Sequence, residues 1–90
     1  MPSSYRFVVA GQVQGVGFRY SALAQAQRLG IRGWIGNRDD GAVEGVASGE
    51  APALESFREW LRHGPRMARV ERVDWAETTE ATPPGFEIRR

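Results

Sequence analysis

The segment Gly11-Gln12-Val13-Gln14-Gly15-Val16-Gly17-Phe18-Arg19 restricts this chain to folds in which a strand passes abruptly into a helix. Upstream, Tyr5 to Ala10 is rich in β-branched and aromatic residues, as strands are. Downstream, Phe18, Ala22, Ala26 and Leu29 recur with helical spacing, which predicts a helix over Tyr20 to Leu29. A glycine-rich turn between such elements leaves backbone N–H groups unpaired and aimed into one small space. Placed beside a helix N-terminus, that arrangement binds phosphate or carboxylate. Arg19 adds a planar, permanently charged fork that can grip two phosphate oxygens. The same glycines also suit a tight turn that holds no ligand.

Three established phosphate or RNA signatures fail here. A P-loop needs a lysine, and this chain has none. The dinucleotide fingerprint G-x-G-x-x-G breaks at Tyr20, and 90 residues leave little room for a dinucleotide domain. The aromatic RNA-binding signature is not matched either.

A second marker follows at Gly33 to Gly45. It reads strand, turn, strand, with Asp40-Gly41 as the hairpin signal. Asn37 is the only asparagine of the chain. Turn chemistry alone accounts for an asparagine there, because Asn tolerates left-handed backbone and caps local N–H groups.

Together the two segments resemble the acylphosphatase family. Its first signature, G-x-V-Q-G-V-x-[FY]-R, is met at every fixed position from Gly11 to Arg19. Its second runs roughly G-[FYW]-[AVC]-[KRQAM]-N-x-x-D-G-x-V-x-[GA], and Gly33, Trp34, Asn37, Asp40, Gly41, Val43 and Gly45 fit it. Ile35 and Gly36 depart from it; Gly36 stands where the pattern carries a mostly longer side chain. The likeness extends to the closing Gly85–Arg89 segment.

The resemblance implies an enzyme that hydrolyses acyl phosphates without metal or organic cofactor. It places the phosphate in the backbone cradle of Gly11, Gln12, Val13, Gln14, Gly15 and Val16, clamped by Arg19. It gives the Asn37 side chain the attacking water, with the proton passing to the substrate. Acetyl phosphate, carbamoyl phosphate and 1,3-bisphosphoglycerate are the substrates it suggests, and phosphate or sulfate would bind as a product-like anion. Two other readings keep the fold: a non-catalytic acyl-phosphate binder, and a nucleic-acid or protein-binding module.

The rest of the chain fills in the fold. Ile31–Asn37 and Ala42–Ser48 form the hairpin. Pro52 suits a helix start, and Leu54, Phe57 and Leu61 repeat on one face through Arg62 until Gly64-Pro65 stops the helix. Met67 to Glu77 reads as extended, but Val70 and Val73 fall on opposite faces, which calls for a bulge near Arg72. Thr78–Pro84 is a loop and Phe86–Arg89 a short last strand. The fold class is α+β: a ferredoxin-like βαββαβ sandwich, its antiparallel sheet carrying two helices on one face. One domain is expected over residues 1–90.

Charge and composition narrow the partners. A net charge of +1 with both signs interspersed argues against a nucleic-acid platform. All twelve basic residues are arginines, and the run Arg58, Arg62, Arg66, Arg69, Arg72 is interleaved with Glu55, Glu59 and Glu71 as on a solvated face. Trp34, Trp60 and Trp75 are expected in packing. His63, the only histidine, is expected at a helix end, where its partial charge suits the dipole. No cysteine, no apolar run long enough for a membrane and no signal peptide are present, so a cytoplasmic monomer without disulfide or metal is expected.

Overall fold

Strand β1 (Ser3–Gln12) lies inside the sheet, and its Phe7 and Val9 point to one face and are fully buried there. A computed structural model describes residues 2–89; Met1 and Arg90, the two ends of the expected domain range, lie outside the described residues. After β1 come α1 (Phe18–Leu29), β2 (Arg32–Asn37), β3 (Val43–Gly49), α2 (Ala51–Leu61), β4 (Arg69–Glu77) and β5 (Phe86–Ile88). The sheet order is β4-β1-β3-β2-β5. The first four strands pair antiparallel, and the short β5 adds parallel to β2, which makes the sheet mixed. This is the ferredoxin-like arrangement expected from the element order.

Alternation decides which sheet face the helices cover. Phe7, Val9, Ile35, Val43, Ala47 and Phe86 share one cluster with Phe18, Ala22 and Ala26 of α1 and Leu54, Phe57 and Leu61 of α2. Phe57 lies at its centre, edge-on to Phe7 and Phe86 at centroid distances of 5.9 and 5.8 Å. Such offset geometries add to the area each ring removes from water. The tryptophans pack as expected. Trp60 lies 5.4 Å from Phe18, and Trp75 stacks on Tyr5 at 5.0 Å with Arg58 over its other neighbourhood at 5.7 Å.

Strand ends fall within one or two residues of expectation, and two helix boundaries differ for a physical reason. Helix α1 begins at Phe18, not Tyr20, because burying the Phe18 ring draws the first turn onto the core. Arg19 therefore stands within the helix, at its second residue. Helix α2 ends at Leu61 with Arg62 as its cap, so His63 lies just beyond it, exposed and 3.0 Å from Glu59.

The bulge is real. Ala10 pairs with Arg72 but Gly11 pairs with Val70, leaving Glu71 as the extra residue of β4. That slip puts Val70, Val73 and Trp75 on the core side together. Gly11 has to be glycine there, since a Cβ would collide with the Arg69 carbonyl.

The segment 78–85 has a role that its composition does not announce. It crosses the helix-free face from β4 to the opposite edge of the sheet. Glu80 pins it: one carboxylate oxygen accepts from Arg6 at 3.1 Å and the other from the Trp34 indole at 3.3 Å. Arg6 also reaches Glu44 at 2.8 Å.

Candidate active site

Strand β1 delivers the glycine-rich loop at the end of the sheet where the β2–β3 turn also lies. Gly11 and Gln12 still belong to β1 and pair with Val70 and Arg69. The loop proper runs from Val13, whose side chain is buried in the core, to Gly17. Gly15 and Gly17 hold φ of 76° and 78°, a left-handed backbone that side-chain-bearing residues rarely adopt. Gly17 is the N-cap of α1 and has no side chain to satisfy the first-turn N–H groups, and no acidic residue stands in that turn. Among the described residues, no N–H from Gln14 to Tyr20 donates to a protein acceptor. These unpaired donors, together with the positive end of α1, make an anion-attracting surface.

Arg19 is half-buried beside this loop. Like Arg32, Arg58, Arg62, Arg66 and Arg69, it forms no ion pair among the described residues; what sets it apart is its place in the first turn of α1. An arginine held without a carboxylate at a helix N-terminus has its full donor fork available to a bound anion.

Asn37 closes β2, opposite Val43. Its side-chain oxygen, Oδ1, is buried and has no hydrogen-bond partner. Leaving a buried carbonyl oxygen unpaired costs about 1–3 kcal/mol.

Loop and turn are fastened together by Gln14. Its side-chain amide donates to the Arg38 carbonyl at 2.8 Å and to the Ala42 carbonyl at 2.9 Å. The first of these acceptors is the residue directly after Asn37. The turn is further tightened from within: the Arg38 N–H donates to Ala42 O at 2.8 Å, and the Ala42 N–H to the Asp40 carboxylate at 3.1 Å. Arg38 reaches the other Asp40 oxygen at 2.9 Å. The Ala42 N–H above all, and then the neighbouring Arg38 guanidinium, hold the Asp40 carboxyl below its ordinary pKa. Asn37, Arg38, Asp39, Asp40 and Glu44 line a depression next to this turn.

The sequence reading named the residues of loop, clamp and asparagine, and the fold gathers the loop and the Asn37 turn within hydrogen-bond reach of one another. It did not find the Gln14 side chain, having used only that residue's backbone. The available signal was a long amide, able to donate twice, at a fixed position of the first signature. No cluster of His, Cys, Asp or Glu able to hold a metal occurs among the described residues. No helix there is long and apolar enough to cross a membrane.

The chain is similar to known proteins over nearly its whole length. The family model described as Acylphosphatase matches residues 5–88. The acylphosphatase of Acidovorax sp. (strain JS42) is 49% identical over 81 residues, covering 90% of this chain and 84% of that protein. A solved acylphosphatase from Coxiella burnetii superposes with a TM-score of 0.93 at 38% identity, covering 98% of this chain and 93% of that one. That from Bacillus subtilis gives 0.91 at 38% identity, with both chains covered completely. On its sequence and its fold, the chain belongs to the acylphosphatase family.

Proposed function

We propose that this acyl-phosphate hydrolase works by positioning and fixed charge alone, with no covalent intermediate. An acyl phosphate is a mixed carboxylic–phosphoric anhydride whose carboxylate leaves readily, so no strong general acid is required. The protein has to hold the phosphoryl group, offset its charge and aim a water at phosphorus. The backbone donors of the Gly11–Val16 segment face the phosphate oxygens, Gln14 to Val16 with N–H groups that nothing else occupies. Arg19 clamps the same group from the first turn of α1.

The attacking water belongs to Asn37. Its side-chain carbonyl, turned toward the cradle when substrate binds, accepts a hydrogen bond from that water and turns the oxygen lone pair toward phosphorus. An amide is no base at neutral pH, so the water's proton passes to a phosphate oxygen as the P–O bond to the acyl group breaks. The products are a carboxylate and inorganic phosphate, and the latter rests in the same cradle. The observation that carries this reading is that Gln14 ties the turn bearing Asn37 to a cradle whose N–H groups have no protein acceptor.

The reading takes the chain as one domain acting as a cytoplasmic monomer on small acyl phosphates, with no metal or cofactor. The test is hydrolysis of benzoyl phosphate in EDTA, followed by ultraviolet absorbance, with inorganic phosphate as inhibitor. Metal-independent turnover with competitive inhibition by phosphate is expected. A folded protein that binds phosphate and turns over nothing would favour the non-catalytic binder.

A further inference from the structure

Gly36 directly precedes Asn37, and it departs from the family pattern, which there carries a mostly longer side chain. In this protein the space is taken by main chain. The Arg89 N–H donates to the Ile35 carbonyl at 2.7 Å, the bond that closes the parallel β2–β5 ladder at its last pair, Ile35–Ile88. A Cβ on Gly36 would collide with the Arg89 carbonyl oxygen. Gly36 is buried under that contact. The Arg89 side chain packs elsewhere: its guanidinium carbon lies 4.9 Å from the Trp34 ring centroid, and its Nε donates to Glu87 at 3.0 Å.

We propose that Gly36 and the main chain of Arg89 form a seat that positions Asn37. The inference rests on Asn37 as the residue that orients water. Strand β2 is held from the inner side by β3 as far as the Asn37–Val43 pair. On its outer side β5 ends at Ile88, and the crossing of Arg89 over Gly36 is what continues the support to the residue before Asn37. Support on both edges fixes the rotation of the strand end, and with it the direction of the Asn37 side chain. A displacement of about 1 Å in a positioning group can cost about a hundredfold in rate. The phosphate cradle and Arg19 lie on other elements and meet the end of β2 only through the Gln14 bonds to the β2–β3 turn.

The test compares Gly36→Ala, Arg89→Pro and Arg89→Ala in the full chain. Gly36→Ala pushes Arg89 off its seat, and Arg89→Pro removes the N–H that donates to Ile35. Both should lower kcat by about tenfold or more while the inhibition constant of inorganic phosphate stays within about twofold. Arg89→Ala keeps the main chain and should keep kcat within about threefold of the parent value.

Because Asn37 is the only asparagine, asparagine-selective ¹⁵N labelling gives a single side-chain amide to follow by NMR. That resonance should move in Gly36→Ala and Arg89→Pro whether or not Asn37 acts in turnover. An unmoved amide with unchanged kcat in these two variants overturns the seat. So does a loss of phosphate affinity equal to the loss of kcat, which would show general loosening. If the amide moves but Asn37→Ala retains full kcat, the failure lies in the reading of Asn37 and not in the seat.

Discussion

Replacing Gln14 by Leu tests whether the cradle and the catalytic turn are one mechanical piece. Leucine fills nearly the same volume but donates nothing, so the bonds of 2.8 and 2.9 Å to Arg38 O and Ala42 O are both lost. Neither carbonyl is left bare, since Gly41 N–H still donates to the first and Arg38 N–H to the second. The cost is then the ordinary net value of two neutral bonds, about 1–3 kcal/mol. In a domain of this size each kcal/mol moves Tm by about 4–8 °C, so calorimetry should show a fall of at least about 4 °C. If about 1 kcal/mol of the loss is also felt in the transition state, kcat/KM for benzoyl phosphate falls about fivefold.

Gln14→Glu sharpens the test. At neutral pH a carboxylate would face two carbonyl oxygens and stand beside an anion cradle, so it should be worse than Leu in both assays. Contact with acceptors favours the protonated acid and raises its pKa in the fold. The damage is thus present above that raised value and relieved as pH falls through it, where the acid can donate one bond. A Gln14→Leu protein with Tm within about 1 °C of the parent, or a Glu variant with no such recovery in acid, would refute the coupling of loop to turn.

Arg19→Ala should lower kcat/KM by at least about a hundredfold, the scale of removing one preorganised donor from an oxyanion site, and should weaken inhibition by phosphate. Arg19→Lys should recover little in the same assay, because an ammonium does not reproduce the fork. Asp40, whose folded pKa is depressed, stabilises the turn above the ordinary carboxylate value of about 3.9 and loses that contribution as pH falls through its lowered value. Asp40→Asn should therefore flatten the acid limb of stability measured by denaturant titration against pH, and leave the shape of the turnover profile between pH 5 and 8 unchanged.

Local chemistry made most of the architecture readable before any coordinates. The strand before the loop, the helix after it, the Asp40-Gly41 hairpin and the second amphipathic helix each follow from periodicity and turn residues that act over a few positions. Even the β4 bulge was legible, because Val70 and Val73 cannot share a face without an extra residue, and Glu71 supplies it. The start of α1 was placed two residues late, since burial of Phe18 against α2 is a tertiary effect.

What stayed hidden in the site depends on segments far apart in sequence. Gln14 meets the hairpin turn 24 and 28 residues away, and nothing local to either segment states that they touch. Gly36 departs from the family pattern for no reason visible in its neighbours; the reason is the chain crossing at Arg89. The loop at 78–85 reads as a connector, and only the pairing of Glu80 with Arg6 and Trp34 shows it fastened across the open face of the sheet.

The central claim is that Asn37 orients water and does not hold phosphate. The measurement that reaches it most directly is kcat for benzoyl phosphate alongside the inhibition constant of inorganic phosphate in Asn37→Ala. With Asn37 in that role, kcat falls by about a hundredfold or more while phosphate inhibits as in the parent protein. Near-normal kcat, or a loss of phosphate binding that matches the loss of turnover, would contradict it.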